Sequence, residues 1–120
     1  MDRLQVISHK GKTIIYLDFS KATPMEFYQL IEEGKKVISS LQKGSVYTLV
    51  NVTDLMGGKE QQLALKDFAE HNKPFVKVGA VVGVTGWRKA VYSLILRLTG
   101  RKNLKLCNTL EEAKDWLATQ

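Results

Sequence analysis

Cysteine occurs once, at Cys107, so the chain has neither an internal disulfide nor a cysteine-built zinc site of its own. Only two prolines interrupt it, and 44% of its residues are apolar, a composition that excludes wholesale disorder. No apolar run approaches the roughly 18 to 20 residues of a membrane span. Histidine is scarce too: His9 and His71 are far apart, and neither has a spaced ligand partner. Acid is missing locally. Between Lys73 and Cys107 there is no Asp or Glu, although Lys73, Lys77, Arg88, Lys89, Arg97, Arg101, Lys102 and Lys105 all fall there. The net charge of +6 therefore belongs to that one segment. Such a segment attracts phosphate, anionic lipid, nucleic acid or an acidic partner, or serves simply as a solvated face. Met1-Asp2-Arg3-Leu4 leads straight into strand-like sequence, with no basic region or apolar leader, so the expected location is the cytoplasm.

The 120 residues have the length of one domain, spanning 1–120. Leu4 to Ser8 and Lys12 to Phe19 read as a hairpin turning at His9-Lys10-Gly11. In the second run Ile15, Leu17 and Phe19 alternate with Ile14, Tyr16 and Asp18, as in a strand covered on both faces. Thr23-Pro24-Met25-Glu26 combines a cap, a first-turn proline and a capping box, opening a helix expected to end at Lys43-Gly44. Ser45 to Val52 reads as a central strand and Asp54 to Lys59 as a loop. Glu60 to Asn72 then reads as a helix broken by Lys73-Pro74. Phe75 to Val84 is a buried strand, Trp87 to Thr99 a third helix closed by Gly100, and Asn103 to Cys107 a short strand. Thr109-Leu110-Glu111-Glu112 opens the last helix. The order ββαβαβαβα predicts an α/β fold: a five-stranded, mixed, mostly parallel sheet with four helices and right-handed crossovers.

Enzymatic motifs fail on inspection. Gly79, Gly83 and Gly86 lack the spacing of a dinucleotide loop. Gly57-Gly58-Lys59 is followed by Glu60 where a phosphate loop needs Ser or Thr. His71 suits a helix C-terminus, Cys107 reads as a small buried hydrophobe, and Asp18 has no titratable companion in sequence. No catalytic residue, metal ligand or cofactor is expected.

Two regions remain, both at strand C-terminal ends, where open parallel sheets take their ligands. One comprises Thr53, Asp54, Gly57 and Gly58; the other comprises Thr85, Gly86, Trp87, Arg88 and Lys89. Arg88 and Lys89 beside a helix's opening amides are the expected seat of an anion. On the third helix, Trp87, Ala90, Val91, Leu94, Ile95 and Leu98 are expected to face the core. A further stripe, Arg88, Tyr92 and Leu96, bordered by Lys89 and Arg97 and followed by Arg101 and Lys102, is the expected interaction surface. A basic-flanked stripe of this kind lies on a membrane surface, lines an apolar cavity, makes a dimer, or packs under a neighbouring loop. Nucleic acid is disfavoured, because aromatics are not interleaved with the basic residues.

Several segments together resemble the SpoIIAA-like domains of the STAS/SEC14 superfamily. They are Ile15-Tyr16-Leu17-Asp18-Phe19, Gly44 through Thr53, Phe68 through Lys77, Val81 through Gly86, and Thr109 through Leu117. The resemblance covers nearly the whole chain. It implies a cytoplasmic, non-catalytic module for binding and regulation, whose relatives act as anti-sigma-factor antagonists, as cytoplasmic parts of anion transporters, or as lipid-carrying domains. The antagonists carry a phosphorylatable serine in the loop before their second helix. Here Leu55-Met56-Gly57-Gly58-Lys59 has no hydroxyl, and Thr53 is the nearest one. The expected function is thus a regulatory module binding an anionic or lipid-like ligand or a protein partner near the strand ends. The alternative is a homodimeric interaction domain, and peripheral membrane contact is compatible with either.

Overall fold

Strands β1 (Leu4–His9) and β2 (Lys12–Asp18) pair antiparallel through a turn in which Lys10 and Gly11 both have positive φ, 47° and 84°. That is the two-residue turn whose twist matches paired strands. A computed structural model describes residues 2–120. Beyond the hairpin, β3 (Val46–Asn51), β4 (Val76–Val82) and β5 (Leu104–Cys107) each add in parallel to the strand before, giving the order β1-β2-β3-β4-β5.

A strand order that advances in one direction has a consequence for the helices. Every right-handed crossover must fall on the same face of the sheet. Accordingly α1 (Pro24–Ser39), α2 (Lys59–Asn72) and α3 (Arg88–Thr99) share one face, and α4 (Leu110–Ala118) covers the other. Alternate residues of β2 separate onto these faces as expected, Ile15 and Leu17, with Phe19 just beyond the strand, toward α1 and α2, and Ile14 toward α4. Phe19 and Phe27 are fully buried with ring centroids 5.4 Å apart, and Phe68 closes on Phe19 at 6.2 Å.

The helix signals act as the sequence implies, with two exceptions. Thr23 Oγ1 accepts from the Glu26 amide and Glu26 Oε1 from the Thr23 amide, completing the capping box. The Thr109 hydroxyl caps α4, whereas the Glu112 carboxylate accepts from the Asn108 amide instead of closing a reciprocal box. Helix α1 stops at Ser39, short of the expected Gly44. The Ser40 hydroxyl donates to the Val37 carbonyl, and the left-handed φ of Gly44 (73°) serves the turn into β3. Leu41, just past the helix end, is exposed.

Lys35 Nζ donates to Asp67 Oδ2 at 2.6 Å, linking α1 to α2. That bond holds the Asp67 carboxyl below its usual range. A depressed folded-state pKa stabilises above the unfolded carboxylate range and ceases to do so as pH falls through the lowered value. The pair is exposed, so the effect is small. Asp67→Asn is expected to lower the urea midpoint slightly at neutral pH, and the gap to the parent should close on acidification. A gap that widens in acid contradicts this assignment.

Candidate functional site

Helix α3 does not sit down on the sheet. Of its 12 residues only Thr99 is buried. Trp87, Leu94 and Leu98 are 45%, 45% and 54% exposed, and Ala90 is exposed beside them. These residues were expected to face the core; they form an outward stripe instead. Beneath it, strand β5 has only four residues, and the space over Gly79 of β4 is taken by the Thr48 and Leu104 side chains. Helix α3 packs chiefly against α2, and between the two helices and the sheet lies a cleft of about 140 Å³.

The cleft floor is Leu17, Val50 and Val81, one wall is Leu65 and Phe68 of α2, and the other is Val91, Tyr92 and Ile95 of α3. Four buried residues of the described chain are polar or charged: Thr48, Asn72, Thr99 and Arg101. Three of them, Thr48, Asn72 and Arg101, line this one cleft. Arg101 was expected on the outer surface, yet it is only 6% exposed. Gly100, at φ 69°, ends α3 and turns the chain so that Arg101 enters behind it. There Nε donates to Asn103 Oδ1 and Nη1 to the Ala69 carbonyl, both at 3.0 Å. Among the described residues no carboxylate pairs with it. Burial pulls its pKa below the ordinary guanidinium value, partly offset by Tyr92. Burial likewise raises the Tyr92 phenol, against the nearby Arg101 charge.

At the opening of α3, the expected seat of an anion, the first amides have partners within the protein. The amides of Arg88, Lys89 and Ala90 donate to the carbonyls of Thr85, Gly86 and Trp87 at 3.2, 3.1 and 3.1 Å. Arg88 Nε donates to the Leu55 carbonyl at 2.9 Å, and its guanidinium stacks 5.1 Å from the Trp87 ring. Lys89 is exposed and does not converge with it. Arg88 thus ties the loop at Leu55 to the start of α3.

Of the residues named from the sequence, Gly57, Trp87, Arg88, Tyr92 and Arg101 come together along the cleft. Thr53, Asp54, Gly58, Thr85, Gly86, Lys89, Arg97 and Lys102 remain exposed outside it. Leu96 is half-buried but does not line it. The Thr53 hydroxyl donates to Asn51 Oδ1 at 2.6 Å, and the Gly58 amide donates to Gln61 Oε1 at 2.8 Å. Sequence reasoning missed Thr48 and Asn72; a polar residue at a core-facing position was the available signal.

The cleft contains no pair of titratable groups disposed for acid–base work. Cys107 lies on the α4 side, where burial pushes its thiol up and away from reactivity. Among the described residues no group of three or more His, Cys, Asp or Glu is placed to hold a metal, and no helix is long and apolar enough to cross a membrane.

No family model matches the chain, and no curated protein matches it in sequence. Among solved structures it is similar to an anti-sigma-factor antagonist (STAS) domain protein from Planctomyces limnophilus. The two are 16% identical over 96% of this chain and 97% of that one, with a TM-score of 0.62. The fold is STAS-like, in agreement with the SpoIIAA-like resemblance of the sequence.

Proposed function

We propose that this STAS-like domain is a non-catalytic regulatory module that takes a small, apolar-bodied ligand between α2, α3 and the sheet. The observation that carries the reading is an unfilled apolar cleft under a helix none of whose apolar residues is buried. Size decides the class of ligand. A dry cavity of about 150 Å³ accommodates benzene, so roughly 140 Å³ suits a body of about six to eight heavy atoms. A long acyl chain does not fit with α3 in this position. Because α3 rests mainly on α2, occupancy of the cleft would be felt on the outward stripe of Trp87, Leu94 and Leu98. A regulatory role is consistent with the similarity to an anti-sigma-factor antagonist domain protein.

The test uses 1-hexanol as a neutral probe and follows backbone amide shifts. Saturable changes at Leu65, Val91 and Ile95 are expected. A titration that leaves those amides unmoved removes the reading.

A second reading, docking of a protein partner or a second copy, is favoured by the stripe of Trp87, Ala90, Leu94 and Leu98 flanked by Lys89 and Arg97. Sedimentation over a range of concentrations separates the two copies from the one. A strict monomer eliminates self-association.

A further inference from the structure

Resting on the cleft reading above, we infer that its ligand is a monoanion: a short carboxylic acid, straight, branched or aromatic, whose carboxylate meets Arg101 while its apolar body fills the space along Val91, Ile95 and Leu65.

The argument starts from what Arg101 lacks. A guanidinium carries five donors and keeps its charge in a protein. Taking it out of water without an opposite charge is costly. Here it is buried, and only Nε and Nη1 have protein acceptors, Asn103 Oδ1 and the Ala69 carbonyl. Among the described residues no sealed side-chain nitrogen or oxygen is without a partner. Nη2, which has no protein acceptor, is therefore not sealed off, and Arg101 is one of the residues that line the cleft. The chain offers no acid to fill the role locally, since Asp and Glu are absent from Lys73 to Cys107.

The two protein bonds of Arg101 account for its fold-supporting role, tying the end of α2 to the entry of β5. They do not account for a charge. Neutral residues bond carbonyls and amides equally well, whereas a planar guanidinium with a free edge matches a carboxylate. Charge number favours carboxylate over a phosphate dianion: among the described residues Arg101 is the one buried cation, whereas Arg88, the other arginine on the cleft, is half-exposed to solvent, holding the Leu55 carbonyl and stacking on Trp87. One free guanidinium edge balances one negative charge. The remaining lining supplies apolar body contact, with Tyr92 beside the charged end.

Hexanoate and 1-hexanol share a six-carbon body and differ in the charged group, so their comparison isolates Arg101. On the unaltered protein, hexanoate is expected to bind at least about tenfold more tightly than 1-hexanol, the increment of a charge-assisted hydrogen bond. Arg101→Met should abolish that preference and keep 1-hexanol binding. Should Arg101→Met fail to fold, Ile95→Phe fills the cleft with Arg101 intact, and hexanoate binding should then drop with the guanidinium still present. Equal affinity for the two probes overturns the inference and leaves the cleft reading standing. Binding of neither probe overturns both. Hexanoate shifts confined to exposed lysines and unchanged by Ile95→Phe also overturn it.

Discussion

Gly83→Ala is expected to destabilise the domain by about 3 kcal/mol or more, the largest loss among glycine-to-alanine changes, because backbone strain of about 1 to 3 kcal/mol is joined by a collision with backbone. Gly83 has φ 90°, and a Cβ there would stand 2.4 Å from the Thr53 nitrogen and 2.6 Å from its Cα. The obstacle is main chain and cannot rotate away. Relief requires the exits of β3 and β4 to part, against the bond from the Val52 amide to the Val82 carbonyl at 2.8 Å. Gly11 provides the control. Its φ is similar, 84°, but nothing lies within 4 Å of a Cβ built there. Gly11→Ala should therefore cost only the left-handed penalty of about 1 to 2 kcal/mol. Urea denaturation of both variants separates conformational strain from collision. Equal losses would mean that the contact with Thr53 relaxes freely.

Phe68→Ala is expected to cost about 3 to 5 kcal/mol, the range for removing a buried aromatic ring. The upper part of that range applies. Phe68 is 5% exposed, meets Phe19 edge-on at 6.2 Å, and stands so close to Gly34 that a Cβ there would lie 2.8 Å from its ring. It also borders the cleft, so the space it vacates joins a void that the walls already fail to close. Surroundings that cannot collapse leave the full cavity penalty in place. A measured loss below about 2 kcal/mol would show that α3 settles inward to fill the gap.

Much of the fold was legible because its determinants are local. Thr23 with Glu26, Pro74 after α2, and Gly100 after α3 each mark a boundary through a bond made or forbidden within a few residues. Where a boundary was misread, at the end of α1, a serine hydroxyl bonding back to Val37 competed with the expected glycine cap. The site was less legible. Periodicity identifies which residues of α3 share a face but not how firmly that face is seated. Seating depends on what distant elements present, and α3 rests chiefly on α2 above an edge strand of only four residues. Hence Leu94 and Leu98 face solvent, while Val91 and Ile95 of the same stripe and Tyr92 of the next line a hollow. Arg101 was misplaced for another reason: arginine is ordinarily a surface residue, and nothing local announces that Ala69, many residues earlier, will offer it a carbonyl.

The one-directional strand order gives this molecule a volumetric asymmetry. The α4 side closes tightly around Ile14, Leu49, Ala113 and Leu117, all fully buried, whereas unfilled space is concentrated beneath α3. Hydrostatic compression favours states that eliminate internal voids. Pressure-dependent amide spectra should therefore show α3 yielding first while α1 and α4 hold.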